Sequence, residues 1–418
     1  MREGALWGTV RPMPPEAFDL KTDPVGALPE EWSAAFDAIH ERPFRARQVF
    51  RWIHTRSVVD PAQMSDLART LRDKLAAWDM QMPATVLHAH RAADNTRKML
   101  VGFPRREGGG TVETVLIPPM PGEDDPDEVD EDEPATATAA PATPDGKIPW
   151  GKAPARVTQC ISTQVGCAMG CVFCASGVAG LKRHLTAGEI VAQVLLGRTL
   201  LDPGEALRNV VLMGMGEPLH NYDNTARALR LLTHRDGIDL STRRVTVSTS
   251  GLVPEIERLG RDFRGEIALA VSLHAPDDAL RTKLMPINKR YPLTTLMPAL
   301  RAYPLARRRR ITIEYTLIEG VNDQKRHARA LARLLEGLPT KVNLIPMNPV
   351  DGAPYGRPRQ DDVLAFQAYL RAAGYAVFIR KTRGDEIDAA CGQLALQGAA
   401  PKKRTLPVFG PEGAHGGA

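Results

Sequence analysis

From Val157 onward, short runs of Val, Ile and Leu alternate with longer stretches in which apolar residues recur every third or fourth position. The runs are VTQCIST, NVVLMGMG, RRVTVSTS, EIALAVSLH, RITIEYTLI, KVNLIPMNP and YAVFIRK. Between them lie AGEIVAQVLLGRTLL, NTARALRLLTH, TTLMPALRAY, RHARALARLLEGL and QDDVLAFQAYLRAAG, each with the spacing of a helix. Strands that are apolar on both faces and separated by helices predict a parallel sheet covered by helices, an α/β fold. We read the order as an incomplete barrel, with functional residues expected at the carboxyl ends of the strands.

The first part of the chain follows other patterns. Residues 1–28 are rich in Pro and Gly and predict a disordered tail. EEWSAAFDAIHERPFRARQVFRWIHTR and SDLARTLRDKLAAW place Leu, Phe, Trp and Ile at helical spacing with Arg between them, so residues 29–82 predict a small helical domain with a basic face. Arg45, Arg47 and Arg51 are its candidate phosphate contacts. RKMLVGF and TVETVLIP alternate with period two, and residues 83–118 predict a β-rich connection that brings Glu113 to the main body. Residues 119–155 join EDDPDEVDEDE to PATATAAPATP and predict a disordered insert. The main domain then spans 156–395, and 396–418 predict a flexible tail.

Charge changes this picture in one respect. The net charge is +5, but removing the nine carboxylates of Glu123–Glu133 leaves the rest of the chain at +14. A basic body favours a polyanion such as a nucleic acid, although it is also compatible with a merely soluble basic enzyme. No run of eighteen apolar residues occurs and the opening MREGALWGTVRPMPPE has no apolar core of a secretory signal, so a soluble, cytoplasmic protein is expected.

Four of the five cysteines are Cys160, Cys167, Cys171 and Cys174, close together after the first strand run. An odd, clustered set suggests metal binding or thiol chemistry, not a disulfide framework. Structural zinc usually takes four ligands from paired C-x2-C knuckles, and no second pair is present. Three thiolates can instead hold a four-iron cluster with one iron left open. The spacing alone leaves both possibilities standing.

The triplet C-x3-C-x2-C, with Phe173 before its last cysteine, resembles the motif of the radical S-adenosylmethionine (radical SAM) superfamily. QCISTQVGCAMGCVFCASG, GMGEPL, VSTSG, SLHAP, PINKRYP, NLIPMNP, GAPYGR and RKTRGDEIDAACGQL together resemble, over residues 30–400, the dual-specificity RNA methyltransferases of that superfamily. The resemblance implies a partial (β/α)6 TIM-like barrel with a small N-terminal helical domain. It implies one [4Fe-4S] cluster on Cys167, Cys171 and Cys174, and S-adenosyl-L-methionine (SAM) held by Gly216, Glu217, Ser248, Ser272, Leu273, His274 and Asn348.

The reaction implied is methylation at C2 of adenine in 23S rRNA and in tRNA, two SAM being used for each methyl group transferred. In the same resemblance Cys391 is first methylated and then bridges to C2 through its methyl carbon. Cys160 assists removal of the C2 proton and releases the product by forming a disulfide with Cys391, and Glu113 matches the proton acceptor. RKTRGDE, Arg380–Glu386, looks like a loop that lets Cys391 reach both reactants. Read without the family, Cys391 is a small, often buried residue and Glu113 a solvated strand charge. The implied partners are the two RNAs, a cytosolic electron donor and a thiol reductant, with neither membrane nor DNA. Two rivals are methylation at adenine C8 by a related resistance enzyme, and a non-catalytic RNA-binding protein with a structural metal. The acidic insert departs from the family pattern and falls in a connection.

Overall fold

The computed structural model describes residue 20 and residues 23–104, 108–119, 154–348 and 355–380. Its first elements are helices α1 (Pro29–Ala38), α2 (Pro43–Arg56) and α3 (Arg69–Ala76). The first two begin where the sequence supplies a start: Pro29 and Pro43 occupy first-turn positions where no intrahelical N–H is needed. Trp32 and Phe36 of α1 are fully buried and meet Trp78, the Trp32 and Trp78 rings stacking at 6.5 Å. The α2 carbonyls of His54 and Thr55 are capped from the main body by the guanidinium of Arg198, at 3.0 Å each. A cation at a helix carboxyl end satisfies orphan carbonyls and complements the dipole, which docks α2 in one orientation.

Three antiparallel strands follow, β1 (Thr85–Arg91), β2 (Arg97–Gly102) and β3 (Thr111–Ile117). The period-two reading anticipates β2 and β3 but not β1, whose TVLHAHR is almost wholly exposed on the sheet edge. Strand β3 pairs antiparallel with β4 (Ala155–Cys160), so this ribbon continues directly into the main sheet.

From β4 all neighbours are parallel. The sheet runs β4, β7 (Glu205–Leu212), β8 (Val245–Thr249), β9 (Ala268–Ser272), β10 (Ile311–Leu317), β11 (Thr340–Pro346) and β12 (Ala376–Ile379), while β5 (Gln164–Val165) and β6 (Arg183–His184) form a separate two-stranded ribbon. The crossovers carry α4 (Ala175–Ala179) and α5 (Ala187–Arg198), α6 (Tyr222–Leu232), α7 (Val253–Phe263), α8 (Asp278–Leu284) and α9 (Leu293–Ala302), α10 (Lys325–Leu334), and α11 (Gln360–Ala372). This is the expected six-unit partial barrel with a seventh strand at its edge, and β12 does not pair back to β4.

The pleat assigns the two faces. Gln159 donates to the Gln193 carbonyl of α5 at 2.7 Å, and Tyr315 packs its ring on Phe366 of α11 at 5.3 Å, so these residues point to the helices. Their neighbours Cys160 and Glu314 therefore point to the concave side. Cross-strand register extends that side through Ser248, opposite Ala270, and through Ser272, Glu314 and Asn343, which lie in one row.

Candidate active site

The strand ends above the concave wall are tied together by backbone and buried polar groups. Ser162, just past β4, donates to the Glu113 carbonyl at 2.7 Å and accepts from the Met215 N–H at 2.8 Å. Gly214 N–H bonds to the Ile161 carbonyl at 3.0 Å, and Glu217 N–H to the side-chain oxygen of Gln164 at 2.8 Å. The GMGEP loop is thus held against the segment that leads into Cys167. Gly216 has φ of 108°, and a Cβ there would lie 2.7 Å from Gln164 Cβ and 2.8 Å from its backbone N, so only glycine fits.

Glu217 is buried, and both oxygens of its carboxylate are engaged. Oε2 accepts from the backbone N–H and the hydroxyl of Ser250, each at 2.7 Å, and Oε1 accepts from Leu219 N–H at 3.1 Å. Burial raises its pKa, and the Ser250 bonds oppose that rise. The side chain therefore staples the loop after β7 to the end of β8.

The cysteine loop packs into the same mouth. Val172 N–H bonds to the Leu284 carbonyl at the end of α8, and Phe173 meets His274 edge-on with centroids 4.9 Å apart. His274, at φ of 56°, accepts from Thr316 N–H through Nδ1 at 2.9 Å, while Asn322 donates to its carbonyl at 2.8 Å. Burial, with the nearby Arg281, brings its pKa down to about 3, so the ring is neutral. Leu273 is fully buried, its N–H bonded to the Glu314 carbonyl at 3.0 Å. Asn348 is buried two residues beyond β11.

The three thiols sense one another. Burial pushes Cys167 well up, with Cys171, Cys174 and Glu217 adding to it, and burial with Cys174 takes Cys171 to about 12 against the pull of Arg281. None of Cys160, Cys167, Cys171 and Cys174 is in a disulfide. Among the described residues no three His, Cys, Asp or Glu side chains converge on a single-ion site. Three thiols on one loop, with no second cysteine pair in the sequence, suit a cluster with one open iron better than a four-ligand zinc. A partly buried loop of soft donors beside a guanidinium fits such a cluster, because iron and the nearby cation both favour the thiolate form.

Glu113 and Cys160 come together as well. Val115 pairs with Cys160, so Glu113, two residues away on β3, lies on the same concave face. Glu113 is buried and its carboxylate is 3.0 Å from Lys98 Nζ, and its N–H approaches Met215 Sδ at 3.4 Å. Ser248 and Ser272 stand further along the wall. Cys391 and most of the RKTRGDE segment lie outside the described residues.

Two site residues carry no signal in the sequence reading. Arg281 of α8 is completely buried; its Nε donates to the Leu273 carbonyl at 3.2 Å, one terminal nitrogen to Ser250 O at 2.6 Å and Ser272 O at 3.2 Å, and the other to Asn288 Oδ1 at 2.7 Å. Burial lowers its pKa to about 10, so it remains cationic at neutral pH. The second is Glu314, a buried carboxylate on the concave wall bonded to Asn343 at 3.0 Å; burial raises its pKa and Arg380 opposes this.

Residues 161–332 match the family model of the radical SAM superfamily, and residues 26–79 match that of the ribosomal RNA large subunit methyltransferase N-terminal domain. The chain is 61% identical over 381 residues to the dual-specificity RNA methyltransferase RlmN of Sorangium cellulosum, covering 91% of this chain and 97% of that protein. The chain belongs to the RlmN family. Its relative of the same name from Marinobacter nauticus is 42% identical, over 90% of this chain and 92% of the other. The crystal structure of a radical SAM methyltransferase from Sphaerobacter thermophilus superposes with a TM-score of 0.75 at 42% identity, covering 88% of this chain and 98% of that one. As an RlmN family member the protein is a radical SAM RNA methyltransferase. No helix among its described residues is long and apolar enough to cross a membrane.

Proposed function

We propose that the protein methylates C2 of adenine in 23S rRNA and in tRNA, through a methyl group carried on Cys391. The observation that carries the reading is the placement of Cys160 and Glu113 on one concave face next to the cysteine loop and the GMGEP loop. C2 of adenine is electron-poor and its C–H bond is not acidic, so the carbon offers no nucleophile to an ordinary sulfonium methyl donor. A [4Fe-4S] cluster with SAM supplies one-electron chemistry that activates a methyl carbon for attack on such a position.

The chain's own residues divide the remaining tasks. Cys167, Cys171 and Cys174 hold the cluster. Gly216 and the backbone of Glu217 receive the amino end of SAM, while Ser248, Ser272, Leu273, His274 and Asn348 line its pocket along the strand ends. Because the Glu217 carboxylate is already spent on Ser250 and Leu219, its contribution to SAM is the shape of the loop and the carbonyls it aims.

Cys391 presents its methyl group as a thioether. Cys160 assists removal of the C2 proton, with Glu113 as acceptor on the same face and Lys98 paired with it at 3.0 Å. Once the Cys391 methyl carbon has given up one hydrogen and bonded to C2, its bond to the Cys391 sulfur breaks as Cys160 forms a disulfide with Cys391; the released carbon takes up a proton to complete the new methyl group, and a thiol reductant restores both thiols. The implied setting is the cytoplasm, where an electron donor and a thiol reductant are at hand.

The test is nucleoside mass spectrometry on rRNA and tRNA from cells lacking the gene and from the complemented strain. The reading requires 2-methyladenosine that disappears and returns with the gene. Appearance of 8-methyladenosine in its place would assign the C8 reaction.

A further inference from the structure

All parallel strands of the barrel start at one pole, opposite the mouth that holds the cysteine loop. The loops entering β8, β9 and β10 therefore share that pole, and they carry Arg243 and Arg244, Arg264, and the unbroken run Arg307–Arg310. Arg243, Arg264, Arg307, Arg308 and Arg310 are exposed.

These arginines sit on a fixed platform. Gly265, at φ of 69°, is packed so closely on the next loop that a Cβ would lie 1.6 Å from the Pro304 carbonyl oxygen. The Arg309 guanidinium donates to the Glu266 carbonyl, and its pKa is lowered by burial and then by Arg243, two cations held together. The band continues into a groove of about 820 Å³ between α2 and the ends of α6 and α7, with Arg230, Arg235 and Arg264 in its lining.

The carboxylates of this region, Asp239 on the loop entering β8 among them, are outnumbered by its arginines. Asp236 is taken by Arg47 at 2.6 Å, and Asp262 by the Tyr222 hydroxyl at 2.8 Å and Arg258 at 3.7 Å. Glu30 and Glu266 are the other acids lining the groove, against Arg230, Arg235 and Arg264. Among the described residues, Arg264, Arg307, Arg308 and Arg310 enter no ion pair.

We propose that this arginine pole is a second RNA-binding surface, which grips backbone phosphates of the substrate away from the adenine being methylated. Guanidinium groups pair with phosphate oxygens in a bidentate fork. Contacts of this kind to backbone phosphates position a nucleic acid without reading its bases. The inference rests on the RNA methyltransferase assignment but not on which carbon is methylated. The poles are separated by the length of the strands, about 20 Å at roughly 3.3 Å per residue. Only an RNA that extends well beyond the target loop can touch both.

The experiment compares the full-length holoenzyme with the triple variant Arg307→Glu, Arg308→Glu, Arg310→Glu. Binding is read by fluorescence anisotropy with two RNAs sharing one target adenine, a full-length tRNA and its isolated short anticodon hairpin. The pole predicts that the variant binds the tRNA about tenfold more weakly, with the slope of log affinity against log salt reduced by about 2 to 3, while the hairpin is unchanged. Arg→Lys at the same three positions should restore most of the tRNA affinity. Unchanged tRNA affinity and salt slope, or tRNA and hairpin weakened equally, would overturn the proposal. Binding is measured whether or not a methyl group is transferred, so a failure of the C2 reading shows separately as a missing product with the binding difference intact.

Discussion

Ser250 gives both its backbone N–H and its hydroxyl to the same carboxylate oxygen of Glu217, each at 2.7 Å. A buried carboxylate held this way fixes the distance between the ends of β7 and β8, and the proposed SAM pocket lies between those ends. Ser250→Ala removes a hydrogen bond to a charged buried group, which costs roughly 1.5–3 kcal/mol. Part of that loss falls on the loop geometry. The expected outcome is SAM affinity reduced about tenfold with iron content unchanged, read by anaerobic calorimetry. Wild-type affinity in the variant would mean that the staple does not shape the pocket.

Arg281 makes a second tie, joining Ser250, Ser272 and Leu273 through their carbonyls from the interior. Arg281→Met leaves those carbonyls buried without a donor and should cost about 1–3 kcal/mol, the scale for leaving a buried polar group unsatisfied. Arg281→Lys keeps the charge but not the fork, and should fall between. Chemical denaturation reads the stability. Redox titration of the reconstituted cluster should give a more negative midpoint in the Met variant, since the cation beside Cys171 favours the reduced, more negative cluster.

How far such ties can be read in advance depends on whether their cause is local. The strands β7–β11 are legible because Val, Ile and Leu on both faces is itself the physical requirement of a covered parallel sheet. The edge strand β1 escapes because TVLHAHR is exposed and polar, and it forms by pairing with β2 and not by its own burial pattern. Helix α7 is missed where Pro254 and Gly260 interrupt an otherwise amphipathic VPEIERLGRDF, although Ile256 and Leu259 are fully buried. The cysteine loop and GMGEP are visible as motifs because their chemistry needs fixed spacing. Arg281 is not, since an arginine in DALRTKL reads as solvated, and only the carbonyls gathered by three distant segments bury it. Ser248 and Ser250 show the same limit at finer scale. Both lie in STSG, yet the pleat sends Ser248 to the concave wall, whereas Ser250, past the strand end, meets Glu217.

Asp23 gives a pH-dependent prediction. Its carboxyl accepts Gly26 N–H at 2.9 Å and, at the start of α5, Gly188 N–H at 3.2 Å, but burial raises its pKa from 3.8 to about 6. Between those values the folded chain holds a proton that the unfolded chain has released. The contribution of this group to stability is therefore full below about pH 4, declines as pH rises towards 6, and stays lost above that. Asp23→Asn cannot titrate. The difference in Tm, variant minus wild type, should increase from pH 4 to pH 7, and a difference that is flat or falls across that interval would reject the buried-acid account.

The two outlying cysteines give the sharpest test of the chemistry. If Cys391 carries the carbon bridge and Cys160 only releases it, Cys160→Ala should still accept the methyl group and attack adenine, and then stall. The product is protein covalently joined to RNA, a shifted band that survives denaturation. Cys391→Ala should give no adduct because the bridge has no sulfur to start from, and the double variant should match it. Position supports this division: Cys160 closes β4 on the concave face opposite Val115, held by a backbone carbonyl that accepts the Thr114 hydroxyl at 2.6 Å, so it can meet only what is brought to it. A fourth metal ligand or a structural disulfide at Cys160 would treat the two single variants alike. Equal trapping by both, or by neither under reducing conditions with SAM in excess, would end the methyl-carrier reading for this protein.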